Sequence, residues 1–228
     1  MVRRTCATAA LLTAILSTTA VQAGSIDLCG GAAGWRATWD NSLDGLVQII
    51  ASDCSQLANG RVFIEKSAEF TQGPSPSGVF PTIAITFTQT APTNVTRIII
   101  EDEIITNSTG SPWTDFHMDL IDSGDAIFDV AATAGSGGPP PIGFSIAPFT
   151  IAGFSNGNTR LDIMGGVVPS GTTWFPGSGA LDGELHIAVN PHAQAPFTTF
   201  SLKETPTPEP ASLALLAFGS AVALRRRR

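Results

Sequence analysis

The chain has 228 residues and a formal net charge of −7, from twelve basic and nineteen acidic side chains. Six of the twelve basic residues are arginines in the first four and last four positions, whereas every acidic residue lies between them. The segment between the termini therefore carries 6 − 19 = −13 charges. Such an acidic surface repels nucleic acid and anionic lipid, which argues against both as partners of this segment, and it suits divalent cations or basic partners.

The N-terminus has the parts of a secretory signal peptide. A basic region at residues 1–4 precedes a small-apolar stretch over residues 7–20, and Val21-Gln22-Ala23 matches the cleavage pattern of signal peptidase. The sequence therefore predicts a signal helix over residues 1–23, with cleavage after Ala23. Cys6 leaves with this segment.

Two cysteines remain after that cleavage, Cys29 and Cys54. An even number of cysteines in an oxidising compartment predicts a disulfide between them. Closing a loop of about 25 residues stabilises the folded state by about 3 kcal/mol in the chain-entropy model. Oxidation also removes the thiolate, which disfavours a nucleophilic or metal-binding role.

Short β-rich runs separated by turn-forming sequences fill the rest of the body. In residues 82–90, Ile83, Ile85 and Phe87 alternate with polar or small residues, which predicts a strand with one buried face. Turn residues recur about every ten positions and no segment has a long helical period, which is typical of sandwiches. We therefore predict one all-β domain over residues 24–203, an antiparallel β-sandwich resembling a jelly roll. The predicted strands cover residues 35–39, 46–50, 61–65, 82–90, 95–100, 103–106, 113–120, 143–149, 160–164, 172–175, 181–189 and 197–202.

Two segments of the body are predicted to lack regular structure. Residues 24–34 are rich in glycine and predict an irregular lead-in held by Cys29. Glu101, Asp102 and Glu103 interrupt two β-rich runs and predict a solvated turn.

The alternation in residues 183–189 places Glu184 and His186 on one face, which predicts an exposed strand face.

The most polar strand holds the candidate metal ligands. Strict alternation places Asp115, His117 and Asp119 on one face and apolar residues on the other. Two carboxylates and an imidazole are metal ligands, and Asp122 and Asp125 follow in a loop whose oxygens suit Ca²⁺. The spacing is not that of an EF-hand, and a solvated strand face explains the same pattern. The sequence thus predicts no cofactor, with Ca²⁺ as the alternative.

One motif resembles a hydrolase signature but lacks its structural context. Gly153-Phe154-Ser155-Asn156-Gly157 fits G-x-S-x-G, and Asp162 or Asp182 and then His186 follow in the hydrolase chain order. A nucleophile elbow needs a strand before the serine and a helix after it, whereas a second strand pattern follows here. We expect the serine to lie in a hairpin turn, and we predict that the domain is not an enzyme.

The C-terminus has three parts. Residues 204–210 contain three prolines, which predicts an extended spacer that joins neither a helix nor an inner strand. Residues 211–224 are apolar and uncharged, and they predict a membrane helix about 21 Å long, shorter than the roughly 30 Å hydrocarbon core. The arginines at residues 225–228 extend its reach by snorkelling and mark a cytoplasmic end.

These three parts, in this order, resemble the PEP-CTERM sorting signal of exported bacterial proteins. The N-terminal pattern gives signal peptidase as one processing partner, and the resemblance implies an exosortase as another. The resemblance also implies cleavage near the Pro-Glu-Pro motif after the helix has held the protein briefly in the inner membrane. It also implies a Gram-negative bacterium that makes extracellular polysaccharide, with the cell surface or matrix as destination. The residues that carry the resemblance are Pro208, Glu209, Pro210, Arg225, Arg226, Arg227 and Arg228.

Three functions of the body are open from sequence. The first is a non-catalytic envelope or matrix protein associated with exopolysaccharide. The second is a carbohydrate-binding module, with or without a cation, whose sugar-stacking rings would be Trp35, Trp39, Trp113 or Trp174. The third is a secreted hydrolase. Exposure of the tryptophans separates the first two, because tryptophan is also good core material.

Overall fold

The computed structural model describes residues 24–122, 124–179 and 181–208. The predicted signal peptide, membrane helix and arginine cluster lie outside these residues. In the described part the chain forms thirteen strands, one short α-helix and four short 3-10 turns. The elements are β1 Gly24–Asp27, β2 Trp35–Trp39, β3 Val47–Asp53, β4 Arg61–Phe70, β5 Ile83–Gln89, β6 Arg97–Asn107, β7 Trp113–Ile121, β8 Ala126–Phe128, α1 Val130–Ala134, β9 Ile151–Ser155, β10 Arg160–Val168, β11 Thr172–Trp174, β12 Leu185–Val189 and β13 Thr199–Thr207.

Two sheets pack face to face, and this confirms the predicted β-sandwich. Sheet A has the strand order β1-β2-β5-β13-β7-β10-β9. Sheet B has the order β3-β4-β6-β12-β8, and β11 also pairs with β6. All pairs in sheet A are antiparallel, but β4 and β6 of sheet B are parallel. The chain leaves sheet B after β4, crosses to β5 in sheet A and returns as β6, so the fully antiparallel prediction is wrong at this pair.

The core lies between the sheets and is built by period-2 alternation. Ile83, Ile85 and Phe87 of β5 are buried, as their alternation predicts. Aromatic side chains fill the centre, where the rings of Phe116 and Trp174 lie edge to face with their centroids 5.1 Å apart. Burial of this continuous apolar surface is the main stabilising contribution to the fold.

Strand β6 corrects the prediction of a turn at residues 101–103. It runs without a break through these residues and pairs with β4, with a register shift between Ile64 and Glu65 of β4. At this shift β6 has one extra residue, Glu101, which has no register partner on β4. The extra residue reverses the alternation of β6, so that Ile100 and Glu103 both face the core. Glu103 is fully buried as a result.

Two further segments differ from their predictions. Residues 24–27 form β1, which pairs with β2, although their glycine content predicts an irregular lead-in. Gly24 fits there because a Cβ atom at this position would collide with the ring of Trp39. Residues 143–149 predict a strand but form a loop with one isolated bridge, between Phe144 and Gly183.

The last strand extends beyond the predicted end of the domain. Strand β13 continues to Thr207, past the predicted boundary at residue 203, and Glu204 is fully buried. Thr205, Pro206 and Thr207 pair with β7, whereas the pairing with β5 ends at Glu204. Pro206 is tolerated because β5 does not pair with β13 there, so the strand is locally an edge. The predicted spacer therefore begins as part of β13: Glu204 is an inner strand position, whereas residues 205–207 are paired on one side only.

The predicted disulfide is present. Cys29 and Cys54 are bonded, with their Cα atoms 5.8 Å apart. Cys29 lies in the turn between β1 and β2 of sheet A, and Cys54 follows β3 of sheet B. The bond therefore ties the two sheets together at one end of the sandwich.

Candidate functional site

The predicted metal ligands on β7 face outward and contact β10. His117 Nδ1 lies 2.8 Å from Asp162 Oδ1, and Arg160 donates through NH1 to Asp119 at 3.0 Å. The same arginine donates through Nε to Asp162 at 2.6 Å. The antiparallel register explains these contacts, because Asp162 lies opposite His117 and Arg160 lies opposite Asp119. The guanidinium therefore supplies the positive charge that these carboxylates need.

Asp162 is the centre of this polar cluster. It also accepts a hydrogen bond from Ser155 Oγ at 2.9 Å. Burial opposes its ionisation, but hydrogen bonds from Arg160 and Ser155 outweigh that effect and hold the pKa of Asp162 below its ordinary value. The carboxylate is thus ionised and fully engaged with neighbours in the same sheet.

The five predicted metal ligands do not come together. Asp122 lies in an exposed turn with a positive φ of 73°, and Asp125 lies near His192, with 3.3 Å between Oδ2 and Nε2. In the described part of the chain, no group of three or more His, Cys, Asp or Glu side chains is placed to hold a metal ion. The Ca²⁺ alternative therefore gains no support from residues 115–125.

The serine of the G-x-S-x-G motif lies at the end of β9, and the chain turns at Asn156–Asn158 into the antiparallel strand β10. The predicted hairpin turn is confirmed. Ser155 and His117 both contact Asp162, which places the carboxylate between the hydroxyl and the imidazole. A catalytic triad requires the imidazole in that middle position, where it accepts the proton of the serine. This cluster has the wrong order for nucleophilic catalysis.

The prediction that His186 lies on an exposed strand face is wrong. It is 5% exposed, and its Nε2 lies 3.0 Å from Glu184 Oε2. Burial, and then the positive charge of Arg97, lower the pKa of His186 to about 4. The imidazole is therefore neutral at physiological pH.

The most unusual group of charged residues is in the core, between the sheets. Lys66 of β4 places its Nζ 2.6 Å from Glu103 Oε1 and 2.7 Å from Glu204 Oε1. All three side chains are fully buried. Lys66 and Glu103 are register partners in sheet B, while Glu204 reaches across from sheet A. We call these three residues the buried triad.

Burial and mutual contact change the ionisation of the triad. Burial raises the pKa of Glu103 to about 8; the charge of Lys66 opposes this shift and that of Glu204 adds to it. Burial lowers the pKa of Lys66, but the two carboxyl groups outweigh it and the net shift is upward. At neutral pH Lys66 is therefore an ammonium and Glu103 keeps its proton.

The triad was missed in the sequence, although a signal was present. In β4, Lys66 occupies the same face as Val62, Ile64, Ala68 and Phe70, so a charge interrupts an otherwise apolar alternation. A lysine at a core-facing position needs a buried acid, but its two partners lie on strands distant in the chain. Sequence alternation alone does not identify which acids these are.

Three of the four tryptophans are core residues. Trp35, Trp113 and Trp174 are at most 2% exposed, so they are wrong as sugar-stacking platforms. Trp39 is half-buried, and its ring packs over Gly24. These positions give the carbohydrate-binding alternative no platform of stacked rings.

Comparison with known families gives one match. Residues 206–228 match the model of the PEP-CTERM protein-sorting motif, which covers about a tenth of the chain. The chain carries a PEP-CTERM sorting signal. The predicted resemblance is thereby confirmed, and the protein is an exported, exosortase-sorted protein. No curated protein matches the chain.

The PEP-CTERM signal begins on the last strand of the body. Its first two residues, Pro206 and Thr207, are paired with β7, and the chain leaves the sheet at Pro208. Among the residues that the structure describes, no helix has the length and apolar character that a membrane crossing requires. The sorting signal is thus joined to the sandwich by a strand of sheet A without an intervening folded element.

Proposed function

We propose that this protein is a non-catalytic component of the cell surface or extracellular matrix of a Gram-negative bacterium, where it is associated with exopolysaccharide. An exosortase processes it near Pro208-Glu209-Pro210 after a transient stay in the inner membrane. The observation that carries the proposal is the PEP-CTERM signal, attached directly to the terminal strand of a sandwich. The sandwich is the exported cargo, and the tail directs its delivery.

The polar groups of the body support a role without catalysis. The His117–Asp162–Ser155 cluster is arranged around its carboxylate, and Arg160 neutralises it. The buried triad is out of reach of any soluble substrate, because its side chains have no exposed surface. Neither cluster offers an activated group at the surface.

The processing step is tested by replacing Pro208, Glu209 and Pro210 with alanine. We expect the variant to be exported and to lose its signal peptide, but to remain in the inner-membrane fraction, because the exosortase no longer recognises its site. Fractionation and immunoblotting measure this. The matched control replaces Pro74, Ser75 and Pro76, a Pro-x-Pro sequence in a loop of the body. Normal release of the first variant would contradict the assignment of the motif.

The destination is tested on the wild-type protein. We expect the processed form in the polysaccharide fraction of the producing cells, and we expect enzymatic removal of the polysaccharide to release it. A processed protein that stays in the periplasm would overturn the matrix assignment while leaving the sorting assignment intact.

A further inference from the structure

The buried triad joins three strands and both sheets at one point. Lys66 on β4 and Glu103 on β6 belong to sheet B, and Glu204 on β13 belongs to sheet A. Such a group is rare in a sandwich core, because an ionised side chain loses its hydration when it is buried. Core positions that apolar residues could fill are instead occupied by a lysine and two glutamates in direct contact.

The surroundings of the triad are apolar. In the sheet registers, Ile49 lies beside Lys66, and Ile83 and Met118 lie on either side of Glu204. All three of these neighbours are buried. The ammonium and the carboxyl groups therefore interact with each other in a medium that excludes water.

The contacts of the triad are short, and no group outside the triad is a hydrogen-bond partner of its polar atoms in the described part of the chain. The Nζ–Oε distances are 2.6 and 2.7 Å. A buried ion pair that is retained for stability alone needs further hydrogen bonds to its remaining polar atoms to offset desolvation. The arrangement instead resembles an amine and an acyl group held in contact before reaction.

We propose that Lys66 and Glu204 become covalently joined, through an intramolecular amide bond between Lys66 Nζ and Glu204 Cδ, and that Glu103 is the acid–base catalyst. A C–O bond is about 1.2 Å long, so the contact between Nζ and Oε1 places the amine within about 4 Å of Cδ. Approach of this kind is what makes an intramolecular reaction fast.

The reaction is a condensation that needs no oxidant or co-reactant. Lys66 passes a proton to Glu204, which leaves a neutral amine facing a neutral carboxyl group. Nζ attacks Cδ, and Glu103 donates its proton to the departing hydroxyl, so that a C–N bond forms, a C–O bond breaks and water leaves. The Glu103 carboxylate then takes the remaining extra proton from nitrogen. The ammonium and the carboxylate become one amide and one water.

Three properties of the site favour this step. The two groups are held in contact by the sheets, and well-oriented intramolecular reactions reach effective concentrations of about 10⁵–10⁸ M. Burial raises the pKa of Glu103 to about 8, so this carboxyl group still holds its proton at neutral pH. The product also replaces two buried charges with a neutral amide, which removes the desolvation cost of the ion pair.

Glu204 is assigned as the acyl partner because it is the acid on the opposite sheet. Lys66 and Glu103 are already neighbours in the β4–β6 ladder, so a bond between them would add little restraint. A bond to Glu204 would fasten β13 to sheet B three residues before Thr207, where the strand ends. Strand β13, which leads into the sorting signal, would then be joined covalently to sheet B across the core. This inference goes beyond the proposed function and does not depend on it.

The bond is tested by mass spectrometry of the full chain, produced with export and purified from the envelope. We expect an intact mass lower than that of the disulfide-bonded chain by one water. Trypsin should fail to cleave after Lys66, and residues 62–97 should be found joined to the peptide that begins at Glu204. A full mass, with normal cleavage after Lys66, would overturn the proposal.

Two variants separate the chemistry from folding. Glu103→Gln keeps the shape of the catalyst but removes its acid, and we expect the unlinked mass. Lys203→Met removes a lysine beside Glu204 on β13, and we expect it to keep the link. If the cross-linked peptide contains Glu103 in place of Glu204, the assignment of the bond to the two sheets is wrong. If Glu103→Gln fails to fold, the mass and peptides of the wild-type chain still decide.

Discussion

At the scale of single residues, Lys66 has the most exacting environment in the described body. It is fully buried between two carboxyl groups, and its stem continues the apolar face of β4. Lys66→Met keeps the stem but leaves Glu103 and Glu204 facing each other without a positive charge. Relative to the chain in which the proposed amide bond has not formed, we expect a loss of about 3–5 kcal/mol in the free energy of unfolding, as measured for broken buried pairs. Urea denaturation with a fixed m value measures it.

A triple variant shows whether this loss comes from charge. Lys66→Met combined with Glu103→Leu and Glu204→Leu removes all three ionisable groups, and we expect it to recover most of the stability. Lys203→Met is the matched control, because its side chain is partly exposed, and we expect a change within about 0.5 kcal/mol. A triple variant no more stable than Lys66→Met would indicate that packing, not uncompensated charge, sets the loss.

His186 makes the stability of the body depend on pH. Its folded pKa is lowered to about 4 from an unfolded value of 6.5, because burial and the charge of Arg97 disfavour the imidazolium. Between these values the unfolded state binds a proton that the folded state does not, so stability falls as the pH falls from 6.5 to 4. The contribution is at most about 3 kcal/mol, at 1.36 kcal/mol per pKa unit.

The measurement is the difference in unfolding free energy between wild type and His186→Gln across this pH range, which cancels the other titrating groups. Arg61, Arg97, Asp129 and Glu184 surround the imidazole and remain in both proteins. His192→Gln is the control, since His192 lies in a more exposed loop. An equal slope in wild type and His186→Gln between pH 6.5 and 4 would show that this histidine is not the group responsible.

At the scale of elements, alternation predicted the strands whose buried face is wholly apolar. Residues 83–87 and 115–120 have such faces, and both lie in strands with the predicted orientation, although the next inward residue of β5, Gln89, is polar and buried. The pattern failed where a charge faces the core. The sequence predicts a solvated turn at Glu103, whereas the residue is buried in β6. Its partner Lys66 lies beside it because β4 and β6 pair in parallel, which the local sequence does not show. Buried charges are specified by tertiary pairing, which local sequence does not contain.

The polar cluster on the outer face of β7 and β10 was predictable only in part. The shared face of Asp115, His117 and Asp119 follows from period 2, and the structure has it. The arginine that occupies this face comes from β10, and its position depends on the register between β7 and β10. The sequence therefore located the polar face correctly but did not reveal that Arg160 contacts Asp119 and Asp162 there.

Strand β13 gives a prediction about the boundary of the folded body. It lies between β5 and β7 in sheet A, and its final residues Thr205, Pro206 and Thr207 still pair with β7. A chain ending at residue 207 should keep the stability of the exported protein, whereas one ending at 203 should lose several kcal/mol. The shorter chain lacks the buried carboxyl group of Glu204, which leaves the ammonium of Lys66 without one of its two buried partners.

Thermal unfolding of the two truncated chains measures this difference. A third chain ends at residue 207 and carries Glu204→Gln, which separates the loss of the carboxyl group from the loss of the β7 pairing. Equal melting temperatures for the chains ending at 203 and 207 would show that the sequence-based boundary at residue 203 is correct in energetic terms.

At the scale of the whole molecule, the sorting signal overlaps the end of the body. The match to the PEP-CTERM motif covers residues 206–228, of which the structure describes residues 206–208, and Pro206 and Thr207 are paired with β7 in sheet A. The Pro-Glu-Pro motif, the apolar span and the terminal arginines all follow the last paired residue. We therefore expect the exosortase to recognise the signal without contacting the sandwich, so that the signal acts independently of its cargo.

Transfer of residues 208–228 to an unrelated exported protein tests this independence. We expect the fusion to be held in the inner membrane and then shortened at the Pro-Glu-Pro motif, which pulse-labelling and fractionation follow over time. A fusion with Pro208, Glu209 and Pro210 replaced by alanine should be exported and retained but not shortened. If the unaltered fusion stays uncut in cells that process the native chain, the exosortase also reads β13 or the body, and the junction at Pro208 is part of the signal.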